Sequence, residues 1–464
     1  MRKSLRLLFA VFMTISTMLS ITLTLAQDET GSDPYYPTLG STDYDVQHYT
    51  INLTVDVAAN TISGTTTIEI LPTEDLNTIK FDFSGLTVEE VSVNQTPAEF
   101  ERNGTTLAIT PSTSLTGGEA QTIAITYSGS PEPVDDPAVP WQGLGWSTSD
   151  IGIYVVNEPS GAMSWYPVNN LPTDKATYDY LITVPKPYVV AANGLLIETA
   201  DTEQGDSTLY HWQSNDPIAA HVTAIYIGEF EAVTSTTDAG LTIRNYFPAD
   251  VDSDTRAAFD TTPDMIDYFT SLVGDYPFEA YGAIVFPDPE IGFALENQTL
   301  SIFGIGAVNE VDIAHELAHQ WYGNSVTPAH WSDVWLSEGF ATYFQSLWVE
   351  HTQGETAFQA VMDHMYQGLN GSGLQPGLTA DPGVENLYNV NSYYRGALTL
   401  HALRVQVGDD LFFQILREYF ERYKNSSATT ADFIAVAEEV SGQDLSELFD
   451  GWLYQTNLPA EPGA

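Results

Sequence analysis

The 464-residue chain contains no cysteine and very few basic residues. Without cysteine the protein has no disulfide, no thiol nucleophile and no thiolate ligand, so any metal site must use histidine and carboxylate. Lysine and arginine number 14 against 62 aspartates and glutamates, a formal net charge of −48. Binding to nucleic acid needs clustered positive charge, so we expect no nucleic-acid partner. The acidic composition is typical of a solvated surface and does not indicate a fold.

The composition is otherwise that of a globular protein. Apolar residues make up 43% and aromatic residues 12% of the chain, which excludes the low hydrophobicity of a disordered protein. Because one hydrophobic core stops growing at roughly 250 to 300 residues, the length predicts two domains.

The N-terminus has the pattern of a secretory signal peptide. Arg2, Lys3 and Arg6 precede an apolar run that becomes rich in Thr and Ser and closes at Ala26. We predict that residues 1–26 are a signal peptide and that the protein is secreted or on the cell surface of a bacterium. The run is about as long as a bilayer-spanning helix. An uncleaved anchor is therefore the alternative, and the one route by which we expect contact with a membrane.

Two periodicities divide the rest of the chain. Between about residues 44 and 230, apolar and polar residues alternate, as at Ile51, Leu53 and Val55, which predicts β-strands. After about residue 236 the spacing becomes helical, with a short strand region near 281–302. We predict a β domain over 27–236 and a mainly α domain with a small sheet over 237–464. The main helices are predicted at 310–322, 334–348, 393–407, 409–423 and 431–440, the last with Thr430 as N-cap and Gly442 beyond its end.

The run His315-Glu316-Leu317-Ala318-His319 lies in the first of these helices. At 3.6 residues per turn both histidines project from one face, as two ligands of a tetrahedral zinc require. Glu338 on the next helix supplies a third ligand, and His330 between them is interpreted as structural. One zinc per chain would lower the pKa of its bound water to about 7 and polarise a carbonyl. Glu316, beside the histidines, would then act as general base.

These motifs resemble those of the aminopeptidase N family of zinc metallopeptidases. In that family a His-Glu-x-x-His helix is followed, after 18 intervening residues, by the Glu of Trp-Leu-x-Glu-Gly-Phe-Ala, and this chain has the same spacing to Glu338. The similarity extends to Trp165-Tyr166-Pro167, to the run 174–178 and to the run 449–453. The resemblance implies an α+β fold in which a saddle-like β domain precedes a thermolysin-like catalytic domain.

The resemblance also implies residues that bind substrate. Family members grip the α-ammonium of a peptide with the Glu of a Gly-x-Met-Glu-Asn strand, which corresponds to Phe293-Ala294-Leu295-Glu296-Asn297 here. The resemblance implies that Glu296 binds the α-ammonium group of the substrate and that Ala294 and Asn297 are further substrate contacts. Phe293 replaces the motif's Gly and Leu295 its Met, which changes the expected contacts with the substrate backbone and side chain.

Two more positions follow from the same comparison. Glu158 resembles a second amine-binding acid contributed by the first domain. Tyr393 matches the Tyr of Tyr-x-Lys-Gly-Ala, which stabilises the oxyanion, with Arg395 in place of Lys. Tyr394 is the alternative donor.

Together these features predict a secreted zinc aminopeptidase that acts on peptides with a free N-terminus. One alternative is a zinc endopeptidase or an epoxide hydrolase that uses the same zinc site. Another is a non-catalytic exported binding protein. Fuller members of the family continue into a helical domain that roofs the active site, whereas this sequence ends at Ala464. We therefore expect a more open cleft, which a closed, monomeric active site in a crystal structure or scattering profile would contradict. The sequence does not predict an oligomeric state.

Overall fold

The computed structural model describes residues 33–140, 142–286, 288, 291–371 and 378–463. The predicted signal peptide at residues 1–26 lies outside these ranges. Among the helices inside them, none has both the length and the apolar content needed to cross a bilayer.

Strands dominate the chain before residue 237. The described residues there form sixteen strands: β1 (Tyr44–Asp56), β2 (Thr61–Pro72), β3 (Ile79–Asp82), β4 (Thr87–Val93), β5 (Thr96–Pro97), β6 (Glu99–Asn103), β7 (Thr106–Thr110), β8 (Gln121–Gly129), β9 (Gly145–Ser149), β10 (Gly152–Val156), β11 (Lys175–Pro185), β12 (Val189–Ala192), β13 (Leu195–Asp201), β14 (Ser207–Ala219), β15 (Ile225–Gly228) and β16 (Phe230–Thr236).

Fifteen of these sixteen strands form one large sheet and two small ones. The large sheet has eight strands in the order β13-β14-β11-β1-β2-β8-β4-β5, and the small sheets have the orders β12-β15-β10-β9 and β3-β7-β6. The predicted alternation is confirmed in β1, where Ile51, Leu53 and Val55 are buried and the residues between them are not. Their side chains contribute to a first hydrophobic core.

Helices dominate the second part of the chain. Its elements are β17 (Thr242–Pro248), α1 (Ser253–Ala257), α2 (Thr262–Val273), β18 (Ala280–Phe286), β19 (Ala294–Leu295), β20 (Ser301–Gly304), α3 (Glu310–Ala318), β21 (Val326–Pro328), α4 (Trp335–Gln353), α5 (Glu355–Gly371), α6 (Gly396–Val407), α7 (Asp409–Tyr423), β22 (Ser426–Ala428), α8 (Thr430–Ser441) and α9 (Ser446–Phe449). The α+β class and the order of a sheet-rich domain before a helical one are confirmed.

A five-stranded sheet, β16-β17-β18-β20-β19, separates two hydrophobic cores. Along β18, Ile284 and Phe286 belong to the first core, while Ala283 and Val285 belong to the second, which the helices complete. Because both faces of β18 are covered, its sequence is a continuous apolar run without alternation. The predicted boundary between residues 236 and 237 falls between β16 and β17, which pair antiparallel. That boundary stays a prediction.

The helix that carries the histidines ends earlier than predicted. α3 stops at Ala318, not at residue 322. The N–H groups of Gln320 and Trp321 donate to carbonyls three residues back, which tightens the last turn. Gly323, with φ of +129°, then reverses the chain.

Other helices also differ from the prediction, and α4 continues to Gln353 instead of ending at residue 348. The N-cap of α8 is Thr429, not Thr430, because the Thr429 side chain accepts the N–H of Asp432 in a capping box. Gly442 lies just after the end of α8, as predicted, and adopts the left-handed conformation. A π-helical turn at Asn391–Arg395 precedes α6, and α5 was not predicted.

Candidate active site

The two histidines lie on one face of α3. Asn309 caps the helix by accepting the N–H groups of residues 311 and 312, and the opposite face is buried through Ile313 and Leu317. His315 Nε2 and His319 Nε2 are 3.1 Å apart. The i, i+4 spacing therefore places the two rings as predicted.

Glu338, in the first turn of α4, completes a triangle with these nitrogens. Its Oε2 lies 3.3 Å from His315 Nε2 and 3.5 Å from His319 Nε2. Ligands about 2.0–2.1 Å from a tetrahedral zinc are about 3.4 Å from each other, so the three atoms fit the metal. Glu338 Oε2 is buried and has no hydrogen-bond partner among the described residues, as expected of an atom that binds an ion.

Each histidine is oriented through its other ring nitrogen. His315 Nδ1 lies 2.7 Å from Gln345 Oε1, and His319 Nδ1 lies 2.9 Å from Ser337 Oγ. With Nδ1–H donated to these oxygens, Nε2 of each ring is left with a lone pair for the metal. Sequence reasoning did not identify Gln345 or Ser337, although Gln345 lies two helical turns after Glu338 on α4.

Buried carboxylates cluster beside the triangle. Glu158 follows β10 and Glu296 follows β19, and oxygens of these two side chains and Glu338 lie within 4.8 Å of one another. Burial, followed by repulsion from neighbouring carboxylates, raises the pKa of Glu158, Glu296 and Glu316 above the usual range. For Glu338, burial also raises the pKa, but the two histidines outweigh it and bring the value to about 2.

These acids have too few partners for their charge. Glu158 Oε2 and Glu316 Oε2 are buried without a hydrogen bond from the described residues. No lysine or arginine is among the described residues that line the cavity. Because buried charges need compensation, the cluster is suited to hold cations.

The backbone of Glu296 is held by the chain that follows α3. Asn324 Nδ2 and Gln320 Nε2 donate to the Glu296 carbonyl at 2.7 and 3.1 Å. Lys175, from β11 of the first domain, donates to the carbonyls of Asn324 and Ser325 at 2.8 Å each. Lys175 belongs to the run 174–178, which resembles the aminopeptidase N family. In the structure this run connects the first domain to the turn behind the site.

Three tyrosines line the cavity. Tyr393 lies in the π-helical turn before α6, and its ring stacks on His315 with centroids 6.1 Å apart. Within the described residues its hydroxyl has no hydrogen-bond partner, whereas Tyr388 Oη donates to Glu158 Oε1 at 3.0 Å. Tyr394 also lines the cavity. The π turn thus presents Tyr393 to the metal triangle.

The cavity has a volume of about 470 Å³. Its lining includes every predicted site residue except Asn297: Glu158, Ala294, Glu296, His315, Glu316, His319, Glu338 and Tyr393.

Two residues that the family resemblance pointed to, Asn297 and Arg395, have side chains that lie away from the cavity. Asn297 is fully buried behind its wall, where Nδ2 donates to Tyr226 Oη at 2.5 Å, so the structure does not bring its side chain to a substrate. The Arg395 guanidinium donates to carbonyls of the C-terminal segment, including Gly451 at 2.9 Å. These hydrogen bonds hold the C-terminal segment in place, and the guanidinium does not reach the metal triangle.

Comparison with known families agrees with this geometry. The family model for the Peptidase M1 N-terminal domain matches residues 45–221, and that for the Peptidase family M1 domain matches residues 257–452. The chain belongs to this family of zinc metallopeptidases, whose members are similar to aminopeptidase N.

Curated relatives are aminopeptidases of greater length. Glutamyl aminopeptidase of Sus scrofa is 26% identical over 330 residues, which is 65% of this chain and 34% of that protein. Aminopeptidase M1 of Arabidopsis thaliana is 27% identical over 329 residues, 65% of this chain and 36% of that protein. The chain thus spans about a third of the length of these relatives.

Solved structures match nearly the whole chain. An M1 zinc metallopeptidase from Deinococcus radiodurans has a TM-score of 0.87 and 29% identity, covering 94% of this chain and 99% of that chain. A mutant of that metallopeptidase bound to a Tyr-Ser-Ala substrate matches with the same TM-score, identity and coverage.

Proposed function

We propose that this protein is a zinc aminopeptidase that removes residues from the free N-terminus of peptides. The observation that carries the proposal is the pair of buried carboxylates, Glu158 and Glu296, beside a triangle of zinc ligands. A charged ammonium entering this site gains the compensation that the acids lack. Zinc peptidase chemistry next to an ammonium site distinguishes an aminopeptidase from other zinc hydrolases.

Each catalytic side chain has a separate task. His315, His319 and Glu338 would hold the zinc, which would supply a Lewis acid to polarise a carbonyl and acidify water. Glu316, whose Oε2 lies buried in the cavity without a partner among the described residues, takes the proton of the attacking water. It then passes that proton to the leaving amine. The Tyr393 hydroxyl donates to the negative charge that develops on the carbonyl oxygen.

The edge strand β19 positions the substrate backbone. Among the described residues, β19 pairs with β20 on one side and has no strand on the other, and Ala294 lines the cavity. An extended peptide can therefore add to the open edge through main-chain hydrogen bonds. Its amine would then lie near Glu296, directly after the strand.

The test compares turnover of aminoacyl-arylamides by the zinc-loaded protein and its variants. Glu316→Gln is expected to lower kcat by about 10² to 10⁴, the usual contribution of a general base. Glu296→Ala is expected to lower kcat/KM by about 10² or more, because it leaves the ammonium unpaired. Glu447→Gln, which changes an exposed acid on α9, is the matched control and should retain activity. A zinc-loaded protein that turns over no free-amine substrate would refute the proposal.

Blocked substrates separate the alternatives. An aminopeptidase should lose activity on N-acetylated peptides, since the acetyl group removes the charge that Glu158 and Glu296 bind. Cleavage of acetylated peptides at an undiminished rate would indicate an endopeptidase. Hydrolysis of an epoxide without peptide cleavage would indicate the hydrolase, and a protein that neither contains nor takes up zinc would indicate a binding protein.

We also propose that the protein is exported. The support is the basic and apolar pattern of residues 1–26. Sequencing the N-terminus of the protein recovered from culture medium should show cleavage after about Ala26. An intact N-terminus in the membrane fraction would instead favour an anchor.

A further inference from the structure

Asp312 is a fifth carboxylate on the cavity wall and has no part in the proposed mechanism. It lies in the first turn of α3 and is half-buried. Its Oδ2 accepts a hydrogen bond from Asn309 Nδ2 at 2.7 Å. Among the described residues, no lysine, arginine or histidine pairs with it. Asn309 therefore orients a carboxylate that faces the cavity without a cation.

The position of Asp312 along α3 is on the leaving-group side. It precedes His315 by three residues, so it lies on nearly the same helix face, about 4.5 Å further toward the N-terminus. The amine grip lies at the other end, since Glu296 Oε1 is 3.5 Å from His319 Nδ1. A peptide with its amine at Glu296 and its first carbonyl at the metal extends its second residue toward Asp312. One extended residue spans about 3.3–3.6 Å, about 1 Å less than that rise of about 4.5 Å, so a long side chain on the second residue is needed to reach Asp312.

The wall around Asp312 leaves room for a long side chain. Gly306 and Ala307, in the turn between β20 and α3, also line the cavity. A methyl group added at Gly306 would meet no atom within 4 Å. With no lysine or arginine among the described lining residues, the negative potential of this end is not neutralised.

We infer that Asp312 selects peptides whose second residue is lysine or arginine. The inference rests on the proposed aminopeptidase function and adds a substrate class to it. The carboxylate binds the cationic side chain next to the scissile bond, while Glu158 and Glu296 bind the α-ammonium. Two separate cations of one substrate are thus recognised on opposite sides of the metal.

The main test uses three peptides that differ only at the second residue: Ala-Lys-Ala, Ala-norleucine-Ala and Ala-Glu-Ala. The native protein should prefer lysine over norleucine in kcat/KM by about fivefold or more, a difference that falls as salt screens the pair. In Asp312→Asn the ratio should approach one, and in Asp312→Lys the glutamate peptide should become the better substrate. In Asp312→Asn, kcat/KM should fall for the lysine peptide and much less for the norleucine peptide, so the loss depends on the charge of the second residue.

A helix-stabilising role for Asp312 is the competing explanation, and a matched variant separates it. Asp264 occupies the corresponding first turn of α2 and is exposed, so Asp264→Asn removes a comparable first-turn acid. Peptide binding measured by calorimetry in the Glu316→Gln background gives a readout without turnover. There the lysine peptide should bind about fivefold more tightly than the norleucine peptide, and Asp312→Asn should remove that difference.

The outcomes distinguish failure of the role inferred for Asp312 from failure of the proposed aminopeptidase function. Turnover of arylamides with equal kcat/KM for all three peptides overturns the role of Asp312 and leaves the aminopeptidase intact. A uniform loss on every substrate in Asp312→Asn, matched by lower stability, makes Asp312 structural. Absence of turnover on arylamides and peptides alike overturns the aminopeptidase and this inference together.

Discussion

Gly339 directly follows the zinc ligand Glu338 and lies where α4 contacts the start of α6. A methyl group added at Gly339 would lie 2.8 Å from Gly396 Cα and 3.2 Å from the Ser392 carbonyl oxygen. Carbon atoms in contact are normally about 3.5–4.0 Å apart, and both neighbours are backbone atoms that cannot rotate away. The variant Gly339→Ala therefore has to separate the two helices by about 0.7 Å or more.

This separation affects catalysis more than stability. Overpacking costs about 1–3 kcal/mol, but replacing glycine by alanine inside a helix returns about 1 kcal/mol. We expect a net loss of about 0–2 kcal/mol in the free energy of unfolding. The shift acts directly on Glu338 in α4 and on Tyr393, three residues before Gly396. A displacement of about 1 Å costs on the order of 10² in rate.

Gly368→Ala is the matched control. Gly368 lies inside α5, and its added methyl would be 3.7 Å from Tyr394 Cε2, an ordinary contact. This variant should gain about 0.5–1 kcal/mol of stability and keep its activity. Urea unfolding measures the difference in stability between the two variants. Zinc affinity, by competition with a chelator, reports the shift of Glu338, and arylamide kcat/KM reports the loss of activity. If Gly339→Ala is as stable and as active as Gly368→Ala, the close contact of α4 and α6 does not position the site.

Further predictions concern the neighbours of the site and one buried acid. Gln345→Ala should weaken zinc binding by about 10- to 100-fold, because His315 loses its orienting acceptor; an unchanged affinity in chelator competition would contradict this. Tyr388→Phe should raise KM for arylamides by about fivefold with little change in kcat, since Glu158 loses a hydrogen bond, and a fall in kcat alone would count against it. Burial raises the pKa of Asp82 to about 7 despite two backbone hydrogen bonds. The folded state therefore binds this proton more tightly than the unfolded state, and the stability that it contributes is present below about pH 4 and lost as pH rises through 7. Urea unfolding between pH 4 and 8 should show that Asp82→Asn removes this loss, and an identical pH dependence in both proteins would refute it.

The order of helices and strands was readable from the sequence where one periodicity extends over many residues. The predicted bounds of α7 agree with those observed. The exact start of α8 was not predictable, because Thr429 and Thr430 are both good N-caps and only the bond to Asp432 decides between them. α3 ends early because Gly323 and the backbone bonds before it, not the apolar spacing, set its last turn.

The metal ligands were predictable because their geometry is local. Two histidines four residues apart on a helix must share a face, and Glu338 is a carboxylate on the next helix whose spacing also agrees with the family motif. Asn297 shows the limit of such transfer. It lies next to Glu296 in the motif, yet its side chain points into the protein toward Tyr226. Neighbours in an extended segment point in opposite directions.

The sequence by itself determined the fold class, because strand and helix periodicities extend over many residues of its two parts. It also determined the zinc-binding residues and the family, because these depend on residue type and spacing within two helices. Only the tertiary structure decided what surrounds the metal. It brought Glu158, more than 130 residues away in the chain, next to Glu296, and it placed Gln345 on His315 and Asp312 on the cavity wall. Contacts between distant segments follow from how sheets and helices pack, which no local pattern encodes.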